Sequence, residues 1–438
     1  MSMYDRIYDM RCCGRFSKSL HPSAIGEAGF ALIFNEEATM DRVILHCDMN
    51  GFFASVELLD YPELADKPMA VCGNPENRHG IILAKNEIAK GFGVVTAETL
   101  WQARKKCPEL QVVPPHHEKY RHYSKLINEI YLRYTDMVEP FSVDESWLDV
   151  TGSQKLFGTG KEIADTLRKT VREELGLTLS AGVSFNKIFA KMGSDYKKPD
   201  ATTVISRENF RELLWPLDIR AMFFVGKVTA DKLKRTGIKT IGELALSDKA
   251  SLTALLGKQG GIIHDYANGL DMTPVLRFDQ RERVKSVGNG ATFRRNLTGE
   301  EDIRTGVTGL SDTVASRLRK HKMKAFGVKV DIKDPQFKVI SRQVQLDNPT
   351  NLTDVIADTA MDIISKHWRM RDPIRMLTIT AINLCDENHA QQLSLFADEN
   401  ISTEKEEKAE RAMDDIRRKF GDSAITFGSV VKNDIGLD

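Results

Sequence analysis

The sequence predicts a multidomain chain of α/β and α+β class. Three observations carry this. At 438 residues the chain can hold several domains of ordinary size, each with its own core. Candidate strands and helices interleave over residues 42–206, whereas residues 215–272 look helical and short-looped. Residues 285–384 then read β-α-β-β-α-β.

In chain order, residues 1–40 show no clear period, and Met40 stands directly before the first strand. A disordered leader or a start-site artefact is expected over residues 1–41. Strands are expected at 43–48, 69–72, 139–143, 147–151, 178–184 and 202–205. Helices are expected near 52–59, 117–137, 160–175, 186–194 and 207–214. Asn74-Pro75 and Val113-Pro114-Pro115 punctuate the stretch 52–117. In the helical region, Val225-Gly226-Lys227 and Leu256-Gly257-Lys258-Gln259-Gly260-Gly261 each place Gly before a helix. Backbone N–H groups at a helix start can meet a phosphate, although Gly before a helix is also a common turn. A basic linker follows at 275–284. The next module has strands near 286–293, 325–333, 338–346 and 376–384, with helices near 300–320 and 351–368. Residues 385–438 read as a polar tail, interrupted by the apolar cluster Gln392-Leu393-Ser394-Leu395-Phe396. Beyond it Ala409, Met413, Ile416 and Phe420 fall at helical spacing.

Apolar content and charge are those of a globular protein. No apolar run approaches the roughly 18 residues of a membrane span, and the first 40 residues lack a coherent signal peptide. No pair among the six cysteines has C-x-x-C spacing, which disfavours a zinc or redox motif and suits a reducing cytoplasm. The formal net charge is zero, yet its distribution is uneven. Residues 277–384 carry 20 Lys and Arg against 13 Asp and Glu, and residues 398–438 carry 7 against 11. A basic module followed by an acidic tail suits a nucleic-acid partner better than the average does.

Two short apolar runs end at, or turn around, acids. One is Val43-Ile44-Leu45-His46-Cys47-Asp48, and the other is Glu139-Pro140-Phe141-Ser142-Val143-Asp144-Glu145-Ser146-Trp147-Leu148-Asp149-Val150. A lone acid at a strand end usually faces water. Asp48, Asp144 and Glu145 together would need cations, because buried carboxylates are paired or hold metals. Hard cations such as Mg²⁺ take oxygen ligands plus substrate phosphates, and paired metals serve in-line displacement at phosphorus. Successive strand residues face opposite ways, so Asp144 and Glu145 converge only if a hairpin bend lies there.

Cys47-Asp48-Met49-Asn50-Gly51-Phe52-Phe53-Ala54-Ser55-Val56-Glu57 resembles the first catalytic motif of the Y-family translesion DNA polymerases. Ser142-Val143-Asp144-Glu145-Ser146-Trp147-Leu148-Asp149-Val150-Thr151 resembles their second. Ala181-Gly182-Val183-Ser184-Phe185-Asn186-Lys187-Ile188-Phe189-Ala190-Lys191, with Ser194-Asp195 and Lys197-Lys198-Pro199-Asp200, is a third match. The resemblance covers about residues 42–385 and is strongest to the bacterial DNA polymerase IV branch.

It implies a ferredoxin-like palm at 42–51 and 118–205, small fingers at 52–117 and a helix-hairpin-helix thumb at 206–272. A linker at 273–284, a β-α-β-β-α-β little finger at 285–384 and a tail at 385–438 complete it. The implied activity is template-directed, error-prone addition of dNTPs to a primer 3′ end, without proofreading. Two Mg²⁺ ions would be held by Asp48, Asp144 and Glu145, with the Met49 carbonyl as an extra ligand. Asp149 is expected to be structural. Phe53 would be the steric gate against ribose; Phe52 would lie at the nucleotide site, where a core aromatic suits it better than Phe53.

Triphosphate contacts would come from Lys90 and Lys198. There the chain departs from the family: Glu87 replaces a phosphate-facing Tyr, Lys90 a bidentate Arg, and Asp200-Ala201 the usual Asn-Gly. DNA contacts are implied at Gly257 and Gly261 in the thumb, and at Ser286, Gly288, Arg294, Arg295 and Lys329 in the little finger. Phe223-Phe224 replaces the usual Pro-Gly, which puts the first hairpin's phosphate contact in doubt. Gln392, Leu393, Leu395 and Phe396 look like the pentapeptide that engages a sliding clamp. A cytoplasmic monomer with primer-template DNA, dNTPs and the clamp as partners, and no membrane, is expected. A partner-dependent polymerase V-like subunit, a catalytically weak DNA-binding scaffold and a nucleotide cyclase are the alternatives. Three intact carboxylates argue against the scaffold, and the basic C-terminal module argues against the cyclase.

Overall fold

The computed structural model describes residues 41–74, 80–280, 283–389, 399–431 and 433–437. They fall into two compact units, one of residues 41–73 and 81–280 and one built on 283–437. Among the described residues no helix is long and apolar enough to cross a membrane.

The first unit opens with β1 (Ile44–Met49), α1 (Phe52–Leu58), β2 (Met69–Cys72) and β3 (Ile82–Lys85). Next come α2 (Glu87–Gly91), α3 (Leu100–Lys106), β4 (Gln111–Val113) and α4 (His117–Tyr131). A hairpin of β5 (Val138–Pro140) and β6 (Glu145–Asp149) follows, then α5 (Gln154–Phe157), α6 (Gly160–Leu175), β7 (Leu179–Ser184), α7 (Lys187–Tyr196) and β8 (Thr202–Ile205). The main sheet has the order β5-β6-β1-β7-β8, with only β7 and β8 parallel. A smaller sheet, β3-β2-β4, has its own core of Ala70, Cys72, Ile82, Ala89 and Leu100. Its short β3 and β4 and the helices α2 and α3 escape the sequence reading.

β1 is buried on both faces, so alternation sorts its side chains. Leu45 and Cys47 join the core that includes Ile127 and Tyr131 of α4 and Ile163 and Leu167 of α6. His46 and Asp48 face α7, reaching Ser194 and Lys191. α6 is set by a capping box between Thr159 and Glu162 and ends at Gly176 in the left-handed region, φ 67°. α4 stops at Tyr131 rather than 137. The Thr135 hydroxyl donates to the Asp149 carbonyl at 2.8 Å, which draws the chain toward the sheet. β6 spans 145–149, two residues earlier than expected, because the Asp149 carboxylate accepts the Thr151 N–H at 3.0 Å and turns the chain. That gives Asp149 its structural role.

α7 lies directly on β7. A Cβ at Gly182 would stand 1.9 Å from the Ala190 carbonyl oxygen and 2.5 Å from the Ser194 nitrogen, both backbone. Gly182→Ala is therefore expected to lower stability by about 3 kcal/mol or more, read as a fall in thermal midpoint. An unchanged midpoint would mean that α7 can lift off the sheet freely.

The unit ends in short helices: α8 (Phe210–Leu214), α9 (Lys227–Arg235), α10 (Ile241–Leu246), α11 (Lys249–Leu256) and α12 (Lys258–Ala267). Phe224 adopts φ 67°, the conformation a glycine would supply at that turn. Its ring packs against Phe223 and Tyr266, with centroids 4.1 and 5.9 Å away, which offsets the cost of the unusual backbone.

The second unit contains β9 (Ser286–Leu297), α13 (Gly299–Lys320), β10 (Met323–Lys333), β11 (Val339–Thr350), α14 (Thr353–His367) and β12 (Ile374–Asp386). Its antiparallel sheet runs β11-β10-β12-β9, and its core unites Leu310 and Val314 of α13, Ile356 and Ile364 of α14, and Val328, Leu377 and Ile379 of the sheet. This is the β-α-β-β-α-β order read from the sequence. The residues beyond do not behave as a polar tail. α15 (Glu399–Phe420) places Glu410 and Asp414 on the buried Arg319, and Glu407 2.6 Å from Lys324. Ile435 enters the core, and its carbonyl accepts the Arg294 N–H at 2.8 Å. The acidic segment thus balances basic residues of the same unit. Gln392, Leu393, Leu395 and Phe396 lie outside the described residues.

Candidate active site

Asp48 is the next-to-last residue of β1, and its Cα partner across the sheet is Glu145, the first residue of β6. Asp144 stands one residue earlier, in the bend between β5 and β6. The Phe141 N–H and Ser142 N–H both turn back to the Glu145 carbonyl, at 2.9 and 3.2 Å. The Met49 N–H donates to the Asp144 carbonyl at 3.1 Å, which fastens the bend beside the end of β1. The hairpin bend needed to bring two adjacent acids to one place is therefore present.

Two lysines stand among the carboxylates. Lys191 Nζ lies 3.1 Å from Asp48 Oδ2 and 3.1 Å from Glu145 Oε1. Lys198 Nζ lies 2.9 Å from Asp48 Oδ2 and 2.7 Å from Asp195 Oδ1. Burial opposes the charge on Lys191, but Asp48, Glu145 and Asp195 outweigh it and raise its ammonium above the ordinary range. His46 donates or accepts at Ser194 Oγ through Nδ1, 2.8 Å away. Its Nε2 lies 3.5 Å from Glu145 Oε2, too far for a good hydrogen bond but near enough to act electrostatically. Burial opposes ionisation of Glu145, yet His46 and Lys191 win and hold it at about 2. Asp144 goes the other way. Burial pushes it up to about 6, and the charges of Asp48 and Glu145 add to the rise against the Ser142 hydroxyl bonded at 2.5 Å. Sequence reasoning assigns no role to Lys191 or Asp195. The signal is their i, i+4 spacing, but its meaning appears only once α7 lies on β1.

A divalent ion fits this donor set. Asp144 is a carboxylate made hard to ionise by its neighbours, the condition a cation relieves. Among the described residues, however, no group of three or more His, Cys, Asp or Glu is drawn together tightly enough to cage a metal. Lys191 and Lys198 hold Asp48 instead, so ion binding would exchange ammonium for metal at the carboxylate.

Beside the carboxylates opens a cavity of about 160 Å³ lined by Met49, Asn50, Gly51, Lys85, Glu87, Lys90 and Lys198. Gly51 forms its floor at φ 52°; a Cβ there would come within 3.1 Å of the Lys85 carbonyl. This turn launches α1, which carries both phenylalanines. Phe53 stacks on Tyr120, with ring centroids 4.0 Å apart and planes 12° from parallel. The Tyr120 hydroxyl donates to the fully buried Glu57 at 2.5 Å, which fixes the stack. Phe52 and Phe53 both belong to the core around Tyr120, and neither is among the residues that line the cavity.

The expected DNA contacts divide. Gly257 precedes α12 at φ 69°, with open space around it. Gly261 sits a turn inside α12, where a Cβ would meet Thr253 Oγ1 at 3.2 Å. Ser286 and Gly288 lie on β9, and the Gly288 carbonyl accepts Arg317 at 2.7 Å. Lys329 is 3.2 Å from Asp331 on the same face of β10. Arg294 lies on β9. Arg295 is committed elsewhere: its guanidinium bridges Asp302 and Asp434, which raise its already high pKa. A role for Arg295 on DNA would have to break two carboxylate pairs.

Family models match three segments. Residues 47–195 match the impB/mucB/samB family, 284–395 its C-terminal domain, and 207–238 the IMS family HHH motif. The chain is 45% identical over 399 residues to a DNA polymerase IV of Acetivibrio thermocellus, covering 91% of this chain and all of the relative. It is 38% identical over 400 residues to a DNA polymerase IV 1 of Bacillus subtilis, covering 90% and 94%. Among solved structures, a Y-family DNA polymerase chimera shares the fold, with a TM-score of 0.70 at 22% identity over 78% of this chain and 99% of that one.

Proposed function

The chain belongs to the Y family of DNA polymerases, in its DNA polymerase IV branch, and we propose that it extends a primer 3′ end by metal-assisted nucleotidyl transfer at Asp48, Asp144 and Glu145. One observation supports this reading above others: Asp48 faces Glu145 across the sheet while the bend sets Asp144 beside them. Two Mg²⁺ ions, when bound, supply Lewis-acid activation of the 3′-hydroxyl and neutralise charge on the leaving pyrophosphate. Asp48 and Asp144 would hold the ions, with Glu145 and the Met49 carbonyl completing the set.

The remaining residues bind and orient. Lys191 bridges Asp48 and Glu145 and screens the repulsion between them. Lys198 and Lys90 line the cavity and take the triphosphate. Phe53, braced by Tyr120, lies beneath the sugar and excludes a 2′-hydroxyl. Small fingers would check base-pair geometry loosely, which suits error-prone synthesis across lesions, and no proofreading step is assigned. The proposed setting is cytoplasmic, as a monomer on primer-template DNA. The test is extension of a labelled primer. It should require a divalent cation, stop with a chelator and resume on adding Mg²⁺; extension unaffected by the chelator would sink the metal assignment.

Clamp engagement is proposed from Gln392, Leu393, Leu395 and Phe396 alone. An extended segment would place Leu395 and Phe396 in an apolar pocket and Gln392 at its rim. Leu395→Ala with Phe396→Ala should leave distributive extension of a short primer intact and remove stimulation by the clamp. A double variant still stimulated, or one that also loses basal extension, would favour packing of this segment on the chain instead.

A further inference from the structure

Glu87 and Lys90 stand together on α2, and the structure pairs them. Lys90 Nζ donates to both Glu87 carboxylate oxygens, at 3.2 and 3.1 Å, one turn apart on α2. Both side chains are more than half exposed, at 58% and 53%, so neither is needed by the core. Both line the cavity beside the three carboxylates, together with Lys85 and Lys198. Each of two cations there already has an internal anion: Lys90 has Glu87, and Lys198 has Asp195 and Asp48. Among the described residues, Lys85 has only the Thr96 hydroxyl in hydrogen-bond reach, at 3.3 Å. Burial, with the charge of Lys90 adding, draws its ammonium below the ordinary range. The cavity is a cation cluster whose charge is partly cancelled from within.

We propose that Glu87 is a built-in competitor for the incoming triphosphate: it occupies Lys90 in the empty site and must be displaced when a nucleotide binds. The proposal rests on the reading of this cavity as the nucleotide site. A ligand phosphate that takes Lys90 leaves the Glu87 carboxylate without its partner and close to like charge. That cost falls on every anion entering the cavity, the nucleotide and the departing pyrophosphate alike. Glu87 therefore weakens nucleotide binding and eases product release, acting through Lys90 as a positioning residue.

The experiment is equilibrium binding of a complementary dNTP, with Mg²⁺, to the full chain on a primer–template ended by a dideoxynucleotide. Steady-state KM and kcat on an extendable primer accompany it. Glu87→Gln is expected to tighten binding and lower KM by about 3- to 10-fold at low salt, the change falling in KM rather than kcat. The gain should shrink as ionic strength rises, and inorganic pyrophosphate should inhibit the variant at lower concentration. Lys90→Ala should weaken binding. If Glu87→Gln leaves binding unchanged or weaker while Lys90→Ala weakens it, the competitor role is overturned and the nucleotide site stands. If Glu87→Gln tightens binding and Lys90→Ala has no effect, the action through Lys90 is overturned. If neither variant changes binding, the cavity is not the nucleotide site, and both readings fall.

Discussion

Asp48→Ala and Asp144→Ala each reduce Mg²⁺-dependent primer extension by about 10³-fold or more, with primer–template affinity kept. The magnitude follows from what a bound cation contributes to the transition state, several kcal/mol, at about 1.4 kcal/mol per tenfold in rate. The two losses have different origins. Asp48 is held by Lys191 and Lys198, so its removal also takes from each ammonium one of its carboxylate partners, leaving Lys191 on Glu145 and Lys198 on Asp195. Asp144 carries the charge its neighbours resist, and its removal takes away the strongest reason for a cation to bind. Glu145→Ala should be severe but leave residual extension, since the Met49 carbonyl and the other two acids persist. Extension and DNA binding measured side by side check this. Near-normal extension by both Asp variants would remove the metal site from these residues.

Phe53→Ala relaxes discrimination against ribonucleotides by about 10²-fold, near 3 kcal/mol of lost repulsion. The ring cannot swing aside to admit a 2′-hydroxyl, because it is stacked on Tyr120 and Tyr120 is tied to buried Glu57. Phe53 is itself buried, so truncation also costs stability by about 3–5 kcal/mol. Phe53→Leu separates the two effects: it keeps most of the packing volume while losing the flat ring. The readout is the ratio of dNTP to rNTP incorporation efficiency in variants whose folding has been confirmed. A ratio that stays within a few-fold in both makes Phe53 a packing residue.

The carboxylates were legible in the sequence because acids that end apolar runs violate the ordinary pattern of burial. The β-α-β-β-α-β unit was legible because its strands and helices are long, 11–13 and 15–22 residues. What stayed hidden depends on contacts distant along the chain. Lys191 reads as one more helix cation until α7 lies on β1 and points it at Asp48, 143 residues earlier. Arg295 reads as an unpaired basic residue until Asp434, 139 residues later, folds back onto it. For the same reason the acidic C-terminal segment looks like a solvated tail, although Glu410 is buried on Arg319. The Gly pair near the start of α12 does not show in the sequence which residue packs; it is Gly260 whose Cβ would meet the Leu252 carbonyl, at 2.0 Å. Phe224 shows that a turn can keep a glycine-type backbone without glycine when aromatic neighbours hold it.

The most direct test of the account is primer extension by the wild-type chain with each dNTP offered singly against each of the four template bases, in Mg²⁺. The complementary nucleotide is expected to be added preferentially at every template base, with measurable misinsertion alongside it. Asp144→Ala should abolish correct and incorrect insertion together. Addition that ignores the template base, or insertion that survives in Asp144→Ala, would contradict it.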